Sequence, residues 1–160
     1  MLEFKPIQVK SVPRLRKYYS KCDYRLCEYS VGVKLMWRPH WHPAYAESHG
    51  CLIVLNHSHH FGYMFDYPVP LPGVGDVDAA LDEIDNWCRE MGVAPAFGVV
   101  PEEEREHMTE RYPYTVVDND RLWQDYLYRA EDLMTFAGRR YSGQRNHINK
   151  FRKLYPAAVY

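Results

Sequence analysis

A chain of 160 residues is one domain's worth of sequence and is long enough to bury a substantial single core. With 46% hydrophobic, 26% charged and 15% aromatic residues it is neither a disordered tail nor a collagen-like fibre nor a charged solvating segment. Lys and Arg total 20 against 21 Asp and Glu, a formal net charge of -1, so bulk charge makes no case for a nucleic-acid coat or a polybasic membrane protein.

Taken in chain order, Phe4 to Gln8 reads as a short edge strand, where a proline is tolerated. Pro13 stands at the first turn of a basic helix over Arg14 to Tyr19. Arg25 to Trp37 has a mixed pattern without a clear period, and Arg38 to Ala44, broken by Pro39 and Pro43, reads as a loop. A hairpin follows: Ala44 to Glu47, a turn at Ser48-His49-Gly50, then Cys51 to Asn56 as a buried strand. Its run Cys51 to Leu55 is the longest purely apolar one and is far too short to cross a bilayer. Gly62 to Tyr67 is a further strand, ended by Pro68, Pro70 and Pro72. Val77, Ala80, Leu81, Ile84, Trp87, Cys88 and Met91 then repeat at three and four, with Asp76 as cap and Gly92 as left-handed stop, which predicts a helix. Its other face, Asp78, Asp82, Asp85 and Arg89, is expected to be solvated. Pro95 to Val100 reads as a strand, Pro101 to Glu104 as a helix start, Tyr114 to Val117 and Asp125 to Tyr128 as strands, and Glu131 to Phe136 and Ser142 to Tyr155 as helices. Strands interleaved with helices imply an α/β or α+β sheet protein. Cys22, Cys27, Cys51 and Cys88 are scattered singly and read as reduced structural thiols. The N-terminus lacks the blocks of a signal peptide, so the chain is expected to be cytoplasmic.

The near-zero net charge conceals segregation. Asp76 to Glu110 holds eleven acids against Arg89 and Arg105, whereas Arg139 to Lys153 holds six bases and no acid. In the basic segment Ser142 is placed to cap a helix whose first amides lie beside Gly143, open to an anion. Arg140 and Arg145 lie near that end. Tyr141, Ile148, Phe151 and Tyr155 share an apolar face bordered by Arg145, Asn149 and Arg152. An arginine at such a border grips a phosphate or carboxylate with two parallel bonds; the alternative is a surface helix whose arginines pair with acids. The histidines His57, His59 and His60, with His40 and His42, lack the partners and spacing of a metal site, and no metal is expected. Gly73-Val74-Gly75 precedes a helix that begins with Asp76, a residue that repels phosphate, so a capped turn is expected there. No Walker loop, nucleophile elbow or zinc-protease motif occurs.

The run Asp125-Tyr126-Leu127-Tyr128, then Asp132-Leu133, Gly138-Arg139-Arg140-Tyr141 and Arg145-Asn146-His147-Ile148-Asn149-Lys150-Phe151 with Tyr155-Pro156, resembles the signature of the phosphatidylglycerol lysyltransferase C-terminal-domain-like family. Cys22-Asp23-Tyr24, Trp37, Gly50-Cys51-Leu52 and the segment from Tyr67-Pro68 to Gly75-Asp76 also fit. The family falls in the GNAT-like acyltransferase superfamily and usually carries two such modules in tandem; Arg-Asn-x-Ile further resembles the Fem-type aminoacyltransferases. The resemblance implies a phosphate contact at Arg145, with Asn146 and Lys150 beside it and Arg140, Ser142 and Asn149 as further candidates. Two departures stand out. Arg139-Arg140 and Gln144 occupy positions where relatives commonly carry lysines, and Tyr160 follows directly on the signature, so the chain is expected to match the first half of a tandem protein.

The resulting expectation is a single GNAT-like domain over residues 1–160, of α/β (α+β) class, with a mixed, mostly antiparallel twisted sheet flanked by helices. Its expected function is that of an acyl- or aminoacyl-transferase-like module binding a phosphate-containing donor or acceptor at the basic helix. Acyl-CoA or aminoacyl-tRNA is the candidate donor, and no cofactor is otherwise required. The alternative is a non-catalytic module that works with a second GNAT-like module or as a homodimer. Direct attack by an acceptor amine or hydroxyl needs positioning and backbone donors for the oxyanion. Asp125, Tyr126, Tyr128 and His147 are unranked candidates for a general base.

Overall fold

The computed structural model describes residues 2–117 and 126–158. Backbone contacts divide the chain into two compact units, Met1–Asp118 and Asn119–Tyr160.

In the first unit the described strands are β1 (Lys5–Pro6), β2 (Ala44–Ser48), β3 (Cys51–Ser58), β4 (Gly62–Asp66), β5 (Val69–Pro70) and β6 (Phe97–Val99), and the helices are α1 (Val12–Tyr19), α2 (Val31–Met36), α3 (Arg38–Trp41), α4 (Val77–Met91) and α5 (Arg105–Arg111). They form one sheet in the order β1-β2-β3-β4-β6, with β5 also paired to β3. Every pairing is antiparallel except that of β4 with β6, which the α4 crossover makes parallel. This is the mixed, mostly antiparallel sheet flanked by helices that the sequence predicts.

β3 is the organising strand because both its faces are covered. Cys51, Ile53 and Leu55 point into a core with α4 residues Ala80, Leu81, Ile84, Trp87 and Cys88. Leu52 and Val54, one residue out of phase, point into a second core with Ile7, Leu15, Tyr18 and Tyr29. That alternation is the period-two pattern of a strand buried on both sides. The hairpin before it is tight: Ser48 pairs with Cys51, and His49 and Gly50 both take positive φ, 47° and 70°, as a two-residue turn of matching twist requires. α4 begins where Asp76 accepts the Ala79 N–H and ends at left-handed Gly92.

Several expectations fail. Arg38 to Ala44 is not all loop, because Arg38–Trp41 closes one helical turn with Pro39 in its first positions, where no amide is needed. The strand from Gly62 does end before Pro68, at Asp66, but the proline series that follows is not all loop, since Val69–Pro70 forms a separate short strand on β3. Tyr114 to Val117 forms no strand and lies exposed, because β-propensity without a neighbouring edge yields none. The acidic face of α4 is not merely solvated: Arg111 of α5 reaches Asp82 at 2.6 Å and Asp85 at 2.7 Å.

In the second unit the described helices are α6 (Ala130–Thr135) and α7 (Ser142–Leu154), joined through Gly138 and a 3-10 turn at Arg139–Tyr141. Tyr126 and Tyr128, expected in a strand, stack on each other outside any strand, with ring centroids 6.4 Å apart. Asp125, from the same expected strand, lies outside the described residues.

Candidate functional site

The basic helix α7 was the strongest candidate from sequence. It has no proline, and it ends with Arg152 and Lys153 in its last turn, where the helix dipole favours cations. Ser142 does not cap it. Tyr141 is the N-cap residue and no side chain caps the turn, since the preceding 3-10 turn already places Ser142 at helical φ and ψ. Arg145 turns back into its own unit: its Nη1 donates to Phe136 O and, at 2.7 Å, to Gly138 O. It thereby holds the turn in which Phe136 and Gly138 both have positive φ. Arg140 is paired with Asp132 and lies 4.6 Å from the centre of the Tyr141 ring, and the Asp132 carboxylate pushes its pKa above the usual arginine range. Ser142, Asn146, Asn149, Lys150 and His147 are exposed. Of the expected apolar face, Tyr141 is buried against Phe136, Ile148 is half-buried, and Phe151 and Tyr155 are exposed.

In the first unit, the place that invites a ligand is where the parallel strands part. β4 and β6 are joined through Phe65 N–H to Ala96 O at 2.8 Å and Tyr67 N–H to Val99 O at 2.9 Å. Their register slips by one residue between Phe65 and Asp66. Beyond Tyr67 the chain stays with β3 as β5, while β6 leaves through Pro101. Backbone groups left unpaired at such a divergence need partners, and the N-terminus of the following helix is a standard anion seat. Here both positions are occupied from within. The Tyr29 hydroxyl donates to Tyr67 O at 3.5 Å, a long contact. The Tyr24 ring lies 5.1 Å from Tyr29 and 6.0 Å from Tyr67. The amides ahead of α4 are also used: Val74 and Gly75 donate to Leu71 O at 3.1 and 2.9 Å, and Asp76 donates to His49 O at 2.8 Å. The loop fits against the hairpin only because Gly50 and Gly75 lack side chains, whose Cβ atoms would lie 2.8 Å from Val74 O and 2.4 Å from Pro70 Cβ. The capped turn expected at Gly73-Val74-Gly75 is what forms.

Sequence reasoning missed a polar cluster beside this opening. Tyr67 donates to Glu104 Oε2 at 2.7 Å and Tyr24 donates to Glu104 Oε1 at 3.3 Å. His107 Nδ1 lies 3.2 Å from the Tyr67 hydroxyl, and its Nε2 lies 2.8 Å from Asp78 Oδ1. Burial, then the Glu104 carboxylate, pushes the Tyr67 and Tyr24 phenols above the ordinary tyrosine range. A carboxylate that already receives two phenol protons is a clamp rather than a free base. On the other face of β4, buried Lys34 pairs with buried Asp66, which also accepts from Asn56 Nδ2 at 2.8 Å. No sequence motif marks either cluster, because their members are scattered from Tyr24 to His107. The one usable signal was a lysine inside the otherwise apolar-spaced run Val31, Leu35. Among the described residues no three His, Cys, Asp or Glu side chains form a group able to hold a metal ion.

The family model for the C-terminal region of phosphatidylglycerol lysyltransferase matches residues 20–160. No curated protein matches the chain. The crystal structure of a conserved protein of unknown function from Bacteroides thetaiotaomicron VPI-5482 is similar with a TM-score of 0.83 and 26% identity, over 98% of this chain and 52% of that one. The chain therefore spans about half the length of that relative. Among the described residues no helix is long and apolar enough to cross a membrane.

Proposed function

We propose, from the premise that the chain belongs to the phosphatidylglycerol lysyltransferase C-terminal family, that it acts as the supporting module of a two-module, GNAT-like aminoacyl- or acyltransferase. In this reading the donor's phosphates are held elsewhere in the whole protein, and this module contributes framework and acceptor-side contacts. The observation that carries it is the closed first turn of α4, where the Asp76 carboxylate occupies the anion position by accepting from Ala79 at 3.0 Å and the preceding amides are already donated. A phosphate placed there would meet the Asp76 carboxylate, which already accepts the Ala79 N–H. The Tyr24 and Tyr29 rings fill the strand opening in the same sense.

A second reading keeps a phosphate contact at α7. It is favoured by Arg139, Lys150, Arg152 and Lys153, which are exposed and stand on a segment without an acid from Arg139 to Lys153. Arg145 is then a positioning residue that fixes the 136–138 turn rather than the phosphate ligand itself.

Isothermal titration of the chain with acyl-CoA and with an aminoacyl-tRNA mimic separates the two. The supporting-module reading expects no heat from acyl-CoA, and Arg145→Ala to lower the melting temperature without creating or removing any binding. Stoichiometric acyl-CoA uptake by the chain alone sinks it. Uptake of the tRNA mimic that disappears in Lys150→Gln with Lys153→Gln supports the second reading.

A further inference from the structure

The two sides of the sheet carry opposite charge. α1 packs through Leu15 and Tyr18 with the face of Leu52 and Val54. α4 and α5 pack through Leu81, Ile84 and Met108 with the face of Cys51, Ile53 and Leu55. Successive strand residues point to opposite faces, so α1 and the α4–α5 pair cover opposite sides of β3. From Val9 to Arg25 the chain holds six bases, Lys10, Arg14, Arg16, Lys17, Lys21 and Arg25, against one acid, Asp23. From Asp76 to Glu110 it holds eleven acids against two bases.

Helix geometry decides which of these charges face solvent. In α1 the buried stripe is Leu15 and Tyr18, and Arg16 and Lys17 fall on the outer face and are exposed. Arg14, at the border, is engaged by Glu47 at 3.3 Å, whereas Arg16 and Lys17 form no ion pair among the described residues. Lys17 Nζ lies 5.3 Å from the centre of the Tyr18 ring. In α5 Met108 is buried and Arg111 turns to Asp82 and Asp85 of α4. That leaves Glu106 and Glu110 exposed, four positions apart and therefore neighbours on one stripe. Neither forms an ion pair among the described residues. Glu90, exposed at the end of α4, adds to the same side. Two sides of opposite, unanswered charge in a chain whose total is -1 complement each other between copies. A net charge near zero also removes the long-range repulsion that keeps identical molecules apart.

We propose that the outer faces of α1 and α5 are the two halves of a self-association surface, the α1 face of one copy docking on the α4–α5 face of the next. The contact joins two different patches, so it does not close as a two-fold dimer and adds copies head to tail. Exposed charge makes it weak and salt-sensitive. Arg16, Lys17, Glu106 and Glu110 belong neither to α7 nor to the strand opening, so the surface stands or falls independently of the reading above.

Sedimentation equilibrium of the full chain up to millimolar concentration tests it. The apparent mass is expected to rise with concentration at about 0.01 M salt and to return to the monomer value at about 1 M, as the screening length falls from about 30 Å to about 3 Å. Arg16→Glu with Lys17→Glu, and separately Glu106→Lys with Glu110→Lys, place like charges opposite each other and are each expected to weaken association more than about tenfold, at an unchanged melting temperature. Mixing the two variants is expected to restore it, because the acidic face of the first meets the basic face of the second. Lys5→Glu with Arg129→Glu changes the net charge as the first variant does, on the edge strand and in the second unit, and is expected to associate like wild type. The proposal is overturned if the wild-type chain stays monomeric at low salt, if either reversed variant associates like wild type, if their mixture stays monomeric, or if the Lys5 and Arg129 control loses as much. A monomeric wild-type chain that binds heparin through Arg16 and Lys17 overturns it as well, by giving the α1 face to a polyanion.

Discussion

Lys34 is the residue whose environment departs furthest from its chemistry. It is 5% exposed, and its partner Asp66 is 2% exposed, so the ammonium and carboxylate must answer each other inside the protein. Asp66 Oδ1 is satisfied by Asn56, while Oδ2 has the Lys34 charge beside it without an aligned hydrogen bond. The nearby Tyr19 hydroxyl is buried without a hydrogen-bond partner among the described residues, and burial and the Asp66 charge keep it protonated well above its ordinary range. Removing one member of such a pair is worse than removing the charge from both, because a lone buried ion keeps its whole desolvation cost. Lys34→Met is expected to destabilise by about 3–5 kcal/mol, and Lys34→Met with Asp66→Asn to recover much of that loss. Urea unfolding of the three proteins tests it, and a Lys34→Met loss below about 1 kcal/mol, the level of an exposed ion pair, removes the argument. The pairing was not legible beforehand: Lys34 stood out only as a lysine within an apolar-spaced run, and a lysine two-thirds through a short helix looks solvated until the strand that covers it is known.

At the scale of elements, α5 is fastened to α4 by charge rather than by apolar packing alone. Arg111 Nη2 donates to both Asp82 and Asp85, and the neighbouring Tyr112 hydroxyl donates to Asp85 at 2.8 Å. Met108 alone among the residues of α5 is buried, so the polar contacts carry much of the attachment. Arg111→Met is expected to cost about 1–3 kcal/mol, the range for hydrogen bonds to charged groups, and hydrogen exchange should quicken first in α5. Arg111→Lys should recover part of the loss, because the one nitrogen Nη2 reaches both carboxylates and an ammonium, with three donors, can do the same. Unchanged exchange in α5 would contradict this. α4 itself was legible from its apolar spacing and both caps, because everything that defines it lies within seventeen consecutive positions. Its partnership with Arg111 was not, because 29 residues separate Arg111 from Asp82. The same distinction explains α7, whose existence and charge were legible while the inward turn of Arg145 depended on the left-handed conformation at Phe136.

For the whole molecule, charge is segregated along the chain as the sequence indicated, but the acids of α4 are partly neutralised within the first unit, and Arg140 is neutralised by Asp132 within the second. What distinguishes the protein globally is how many weak acids it keeps protonated. Burial, reinforced by the Asp76 carboxylate, pushes the Cys51 thiol up to about 11 from 9.0. Burial, reinforced by Asp85, does the same to Cys88. Burial and Glu47 raise the Tyr18 phenol, and burial and Asp66 raise that of Tyr29. Each folded pKa lies above its unfolded value, so between the two values the unfolded chain has released a proton that the folded chain still holds. Stability is therefore complete below the unfolded thiol pKa of about 9 and is lost as pH rises toward the folded value of about 11, while the phenols extend the loss to higher pH. The urea midpoint should stay level on the neutral side of pH 9.0 and fall steadily from there to about 11. Cys51→Ala with Cys88→Ala should lower the neutral midpoint, through the small cavities left behind, yet flatten its alkaline decline. A decline equally steep in that variant assigns the alkaline loss to the phenols, and a midpoint constant through pH 11 rejects the linkage for both kinds of group.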